Sequence, residues 1–298
     1  MIGDGMGVGQ MTAALYSAPR FRLNIERFPV IGLIKTHAAD NLVTDSAAGA
    51  TAFASGAKTY SGAIGVNRDT IEVRSILEIG QKKDYRTGIV VTCEVTHATP
   101  ACFYAHQPLR TMYEQIAEDM AFSNLDLAIG GGMKYFTKRH DRQKLIPVME
   151  KRGDTVYQEE PNFKSLKASE GDKVVAFTAN IRPKRKSDGR YYLAPATKYA
   201  IDFLEERSTN GFMLMVEGSQ IDWGGHANDS KYIISETLDL DKAIGKVLDY
   251  AEKDGETLVV VTADHETGGY HVNPGSRRGR IKPGFTTGSH TANLVPVY

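Results

Sequence analysis

Three runs with almost no polar interruption constrain this chain most. They are residues 87–93 (Thr-Gly-Ile-Val-Val-Thr-Cys), 211–216 (Gly-Phe-Met-Leu-Met-Val) and 257–263 (Thr-Leu-Val-Val-Val-Thr-Ala). A strand with one wet face alternates polar and apolar residues. These runs do not alternate, so each is read as a strand buried on both faces, which is the situation of a parallel sheet covered by helices. Weaker strand signals lie at 30–36, 125–129 and 173–177. Helical patterns fall between them, at 72–83 (Val73, Ile76, Leu77 and Gly80 on one face), 111–122, 141–152, 195–206 and 229–253. A proline at 195 suits the opening of its helix. Strands alternating with helices predict an α/β fold with a largely parallel central sheet flanked by helices on both faces.

A length of 298 residues suits one large domain or two small ones. The chain is read as a single domain, 1–298, with an insertion at about 138–195 where the periodicity weakens. The basic run Arg182-Pro183-Lys184-Arg185-Lys186 inside that insertion is expected to be a solvated loop. The opening Met1-Ile2-Gly3-Asp4 reads as the end of a strand, and 294–298 as an apolar segment without a closing turn, so both termini are expected to be truncated. Formal net charge is zero, so no bulk field draws the chain to nucleic acid, and no specific nucleic-acid partner is expected. No apolar run reaches membrane-spanning length. The two cysteines, Cys93 and Cys102, give neither a disulfide framework nor a metal-type spacing; Cys93 is read as a small buried hydrophobe.

The chemistry-bearing residues sit where strands end. Asp4 follows the first apolar stub, in a loop (Gly3-Asp4-Gly5-Met6-Gly7-Val8-Gly9) whose third glycine is misplaced for a dinucleotide fingerprint. Thr99 lies beyond the strand at 87–93. Glu217 follows 211–216, with Asp222 and His226 just after it. Asp264 and His265 follow 257–263. In a parallel sheet these strands end on one edge, where such folds bind ligands. So many carboxylates in one cleft would repel and raise one another's pKa values. Divalent cations relieve that repulsion: a His and Asp mixture suits zinc, and an oxygen-only set suits magnesium.

Asp45-Ser46 precedes a small-residue helical run, 47–54, with Gly56 as a stop signal. Read alone, the pair is an N-cap. Beside bound cations, Ser46 is also a nucleophile candidate that needs no Ser-His-Asp triad, because a metal can lower a coordinated hydroxyl's pKa directly and the helix N-terminus favours negative charge.

Taken together, Gly3-Asp4-Gly5-Met6-Gly7, Thr44-Asp45-Ser46-Ala47-Ala48, His97-Ala98-Thr99-Pro100, Glu217 to Asp222 with His226, Thr262-Ala263-Asp264-His265-Glu266 and Gly288-Ser289-His290-Thr291 resemble the alkaline phosphatase family, in the family's order. The resemblance implies a metal-dependent phosphate monoesterase, with phosphate monoesters and inorganic phosphate as its ligands. Ser46 would become phosphoserine. Asp222, His226 and His290 would hold one zinc; Asp264, His265 and Asp4 a second. Asp4 would bridge to a magnesium completed by Thr99 and Glu217. Arg110 would clamp the phosphate, although read alone it is a surface charge. His97 and Trp223 stand where some family members carry Asp and Lys, which leaves zinc as an alternative in the third site. A homodimer and a periplasmic or secreted location are further expectations from the resemblance. The competing readings are a phosphodiesterase or sulfatase of the same superfamily, and a non-catalytic metal- or phosphate-binding protein. Arg110 and the magnesium set favour a monoester, since both serve a doubly charged phosphoryl group.

Overall fold

Residues 1–167 and 171–298 are described in a computed structural model. The remaining three, inside the stretch read as an insertion, lie outside the described residues. In chain order the strands are β1 (Ile2–Gly3), β2 (Gly32–Ile34), β3 (Arg86–Glu94), β4 (Leu127–Gly131), β5 (Asp154–Tyr157), β6 (Lys173–Ala179), β7 (Phe212–Gly218), β8 (Glu266–Thr267), β9 (His271–Val272), β10 (Pro283–Gly284), β11 (His290–Thr291) and β12 (Val295–Val297). The α-helices are α1 (Val8–Ser17), α2 (Ser46–Ser55), α3 (Ile76–Gln81), α4 (Ala98–Ala101), α5 (Tyr113–Phe122), α6 (Lys134–Thr137), α7 (Leu145–Lys151), α8 (Leu193–Glu206), α9 (Gln220–His226) and α10 (Ser230–Asp254).

Six strands form the central sheet in the order β1-β7-β3-β4-β6-β5, every neighbouring pair parallel. Its two faces carry separate cores. Ile89, Val91 and Cys93 of β3 point into the cluster with α2, α5 and α7, while Val90 points into the cluster with α1, α8 and α10. That alternation is why β3 carries an unbroken apolar stretch over residues 88–91: a side chain on either face leaves water, and each buried aliphatic contributes about 1.5–3 kcal/mol. The fold is therefore α/β, with a parallel sheet between two helical layers.

The stretch 138–195 supplies α7, β5 and β6, and both strands extend the central sheet. Residues 257–263, the strongest strand signal in the sequence, do not form a regular strand. Thr262 makes isolated bridges to Ile2 and Val297, while Leu258 is 88% exposed. Its neighbours offer few partners: β1 is two residues long, and β12 runs antiparallel for three. The segment at 30–36 is regular only over Gly32–Ile34, where it pairs with β12 and stays largely exposed. The helix expected over 72–83 shortens to Ile76–Gln81. Ser75 caps it reciprocally with Glu78, and Glu72 is held extended by a bridge to Val66.

Candidate active site

The C-terminal ends of β1, β3, β7 and the 260–262 segment meet on one edge of the sheet, and α2 lies against them. α2 begins where Asp45 Oδ1 accepts the Ala48 N–H at 3.0 Å, and it ends at Gly56, which is left-handed at φ 74. Its alanines and glycine leave little side-chain bulk, so the helix packs in with Ser46 through Thr51 buried. Ser46 is its first helical residue, and its Oγ lies 3.3 Å from His265 Nε2.

His265 is the hub. Its Nε2 is 3.5 Å from Asp4 Oδ1 and 3.2 Å from Asp264 Oδ2, and its Nδ1 is 3.2 Å from Thr267 Oγ1. The Thr267 hydroxyl donates to Asp222 Oδ1 at 2.5 Å. Asp222 and His226 sit four apart on α9, hence on one helical face, with Asp222 Oδ1 3.3 Å from His226 Nε2. β11 pairs antiparallel with β8, setting His290 opposite Thr267, and His290 Nε2 lies 3.4 Å from Asp222 Oδ1. Backbone carbonyls orient both imidazoles: Gly288 O lies 2.8 Å from His226 Nδ1, and Thr44 O lies 2.8 Å from His290 Nδ1. That leaves each Nε2 facing the cleft, the arrangement of metal-ligating histidines. Gly5, at φ +71, is required here, because a Cβ would come within 2.8 Å of the Asp222 Cα.

Two groups of donor atoms are spaced to hold an ion, Asp222-His226-His290 and Asp4-Asp222-His265, each with its atoms within 4.8 Å of one another. Asp264 adjoins the second group through His265. Further donors are buried without hydrogen-bond partners: both Asp4 oxygens, Asp264 Oδ2, Glu217 Oε1, Thr99 Oγ1 and His97 Nδ1. Unpaired buried polar atoms are costly. Several in one cleft are the mark of a cation site, so the donor set fits divalent metals.

The electrostatics agree. Burial first, then the charges of Asp264, Asp222 and Glu217, raises Asp4 well above the carboxylate range. Burial likewise lifts Glu217 to about 8. For Asp222, burial acts upward but the hydrogen bonds from His226 and His290 prevail and hold it well below its ordinary value. Its hydrogen bond in turn lifts His226 to about 9. His97, the N-cap of α4, is brought down to about 3 by burial and then by the charge of Arg110, so its imidazole is neutral. Trp223 meets that ring edge-on at 6.1 Å.

Arg110 joins the cluster through the residue before Ser46: its Nη1 donates to Asp45 Oδ2 at 2.8 Å. The structure thus gathers Asp4, Ser46, Asp222, His226, Asp264, His265 and His290 by direct contact. Glu217 and Thr99 are buried at the adjoining strand ends, and Cys93 Sγ donates to Glu217 Oε2 at 3.4 Å. Sequence reading missed Thr267, Asp45 as the partner of Arg110, and the carbonyls of Thr44 and Gly288. Thr267 had a signal of sorts, since it follows His265 by two residues and so shares its side of an extended segment. The carbonyl roles had none.

Fold and site define a metal-binding α/β protein built around a helix-borne serine. The chain belongs to the alkaline phosphatase family, whose model, described as "Alkaline phosphatase", matches residues 1–298. It is 37% identical to alkaline phosphatase 3 of Bacillus subtilis, over 91% of this chain and 61% of that protein. It is also 37% identical to the repressible alkaline phosphatase of Saccharomyces cerevisiae, over 90% of this chain and 54% of that one. The chain therefore spans little more than half the length of these curated relatives. Among solved structures, alkaline phosphatase from the Antarctic bacterium TAB5 superposes with a TM-score of 0.93 at 43% identity, covering 99% of this chain and 88% of that chain. A histidine-to-aspartate variant of the TAB5 protein, described with magnesium bound in its M3 site, matches with the same TM-score at 44% identity and the same coverage.

Proposed function

We propose that this chain is the catalytic part of a metal-dependent phosphate monoester hydrolase that works through a phosphoserine at Ser46. The observation that carries this reading is the position of the Ser46 hydroxyl: it opens a buried helix, beside a cluster of unpaired carboxylate and imidazole donors, with the guanidinium of Arg110 one residue away through Asp45. Asp222, His226 and His290 would hold one zinc, Asp4, Asp264 and His265 a second, and Asp4, Thr99 and Glu217 a magnesium. The neutral His97 makes zinc the alternative occupant of that third site. Bound there, these ions supply Lewis-acid charge neutralisation and lower the pKa of hydroxyl groups at the reacting phosphorus.

The protein's own groups then have defined tasks. Arg110 holds two phosphoryl oxygens in its planar fork. The free N–H groups at the start of α2 and the helix dipole favour the dianion beside Ser46. Ser46 Oγ attacks phosphorus, the ester P–O bond breaks, and the alcohol leaves with a proton. Water then attacks the phosphoserine from the vacated side, breaking the serine P–O bond and releasing inorganic phosphate. Thr267 fixes Asp222 and His265 so that their metal-facing atoms do not rotate away.

Phosphate monoesters are the substrate class; a homodimer and a periplasmic or secreted location are carried forward as parts of the same proposal. Among the described residues no helix is long and apolar enough to cross a membrane. The test is p-nitrophenyl phosphate hydrolysis by chelator-stripped protein, with zinc and magnesium restored separately and together. Activity should return with zinc, rise further with magnesium, and fall about a thousandfold or more in Ser46→Ala. Full turnover in that variant, or turnover indifferent to chelation, would sink the mechanism. A faster rate on a diester than on a monoester would redirect the substrate class.

A further inference from the structure

The basic run at 182–186 is a loop with Arg182, Lys184 and Arg185 exposed, as expected, but it is also strapped down, and it carries a guanidinium to the rim of the site. Gln220 Nε2 donates to the carbonyls of Pro183 at 3.1 Å and Lys184 at 3.3 Å. Arg185 lies 4.1 Å over the Tyr232 ring, and Lys186 Nζ pairs with Asp239 at 2.8 Å. Behind them Arg190, buried, bridges buried Glu236 and Asp239 at 2.5 and 3.0 Å. On the other side the Lys134 N–H donates to the Asn180 carbonyl at 2.8 Å. The backbone around Arg182 is therefore anchored at both ends, on α10 and on α6.

The Arg182 side chain leans inward from this strap. Its Nε donates to Glu94 Oε1 at 3.1 Å and its guanidinium lies 5.0 Å over the Trp223 ring, yet the side chain stays 61% exposed. Trp223 follows Asp222 directly and touches His97. The Tyr113 phenol lies close enough to act electrostatically on both Arg110 and Arg182. Tyr113 is itself stacked on Tyr135 at 4.8 Å. Arg182, Trp223 and His97 thus form a contiguous cation and ring series beside Asp222. A counter-ion for Glu94 alone needs neither an anchored strap nor an exposed planar fork. A fork held against an aromatic face is suited to a second planar or tetrahedral anion.

We propose that Arg182 is a specificity-determining residue that binds a second phosphoryl group on the leaving group while Arg110 binds the one transferred, a reading that rests on the hydrolase assignment above. The preferred substrates are then monoesters of phosphorylated alcohols rather than of neutral ones.

Two measurements on the metal-loaded protein test this. The first is the ratio of kcat/KM for butanediol bisphosphate to that for butyl phosphate, which share a carbon chain and differ in the second phosphate. The second is calorimetric binding of propane bisphosphonate against propylphosphonate, which requires no turnover. In the unmodified chain the ester ratio should exceed the statistical factor of two by about tenfold. Arg182→Gln should bring it to about two, and Arg182→Lys, which keeps a charge for Glu94 but not the fork, should fall between. An unchanged ratio, or an equal decline on both esters, would overturn the proposal and leave the hydrolase standing. Arg182-dependent preference for the bisphosphonate with neither ester cleaved would support the two-anion site and overturn the hydrolase. Neither turnover nor preference would overturn both.

Discussion

Asp45 holds three things at once, and replacing it should show how much of the site's order rests on one carboxylate. Its Oδ1 accepts the N–H groups of Ala48 at 3.0 Å and Gly62 at 3.1 Å, and its Oδ2 accepts Arg110 Nη1 at 2.8 Å. Burial acts to raise its pKa, but Arg110 and the backbone donors prevail and keep it ionised. Asp45→Ala removes the helix cap, worth ~1 kcal/mol. It also leaves a half-buried guanidinium without its charged partner, about 1.5–3 kcal/mol. The sum is roughly 2.5–4 kcal/mol. Asp45→Asn keeps a neutral acceptor for the cap and should cost about 1–1.5 kcal/mol, mostly the lost charge on Arg110. Urea unfolding at fixed metal concentration reads both, as a lower midpoint with the same slope. In the same variants inorganic phosphate should inhibit less well, because Arg110 is no longer held in place. If Asp45→Ala unfolds within 0.5 kcal/mol of the unmodified protein, the carboxylate is not the organiser described here. If the two variants are equal, the cap contributes nothing.

Stripping the metals should lower Tm by roughly 8 °C or more, since ligands in thousandfold excess over Kd contribute about 4 kcal/mol. Asp4→Asn should raise the Tm of stripped protein, by easing the repulsion among Asp4, Asp264, Asp222 and Glu217, while weakening zinc binding; a lower Tm in both states would refute the repulsion account. Away from the site, His106 contacts Glu78 at 3.0 Å and the Gly65 carbonyl at 2.7 Å. Burial acts downward on His106, but the Glu78 hydrogen bond prevails and lifts it to about 9, while Glu78 is held low. A histidine raised in the folded state stabilises fully below its unfolded pKa of about 6.5 and loses that contribution as pH rises through 9. On the acid side the pair fails as Glu78 protonates. The pair is partly solvated, so screening leaves ~1 kcal/mol. The Tm difference between the unmodified chain and His106→Gln should therefore shrink from pH 6.5 to 10, and a flat difference would exclude the pair as its source.

What the chain alone determined follows from local rules. Strands buried on both faces must be apolar at consecutive positions, so β3 and β7 could be read without a partner in view. A cap, small residues and a glycine stop set α2, and with it Ser46, because each signal acts within a few residues. Acids at successive strand ends implied a shared edge, since parallel strands all point the same way. The tertiary structure decided what depends on distant partners. Residues 257–263 have strand composition, yet regular pairing requires neighbours, and theirs are short. The basic run at 182–186 is solvent-facing at Arg182, Lys184 and Arg185, as its charge implies, but its anchoring is not legible there, because the aromatic ring and the acid that hold it, Tyr232 and Asp239, lie on α10. His290 reaches Asp222 because β11 pairs with β8, and its ring is aimed by a carbonyl 246 residues earlier in the chain, at Thr44. Backbone carbonyls are the same in every residue, so no side-chain pattern announces which of them will orient a ligand; only the folded path of the chain selects it.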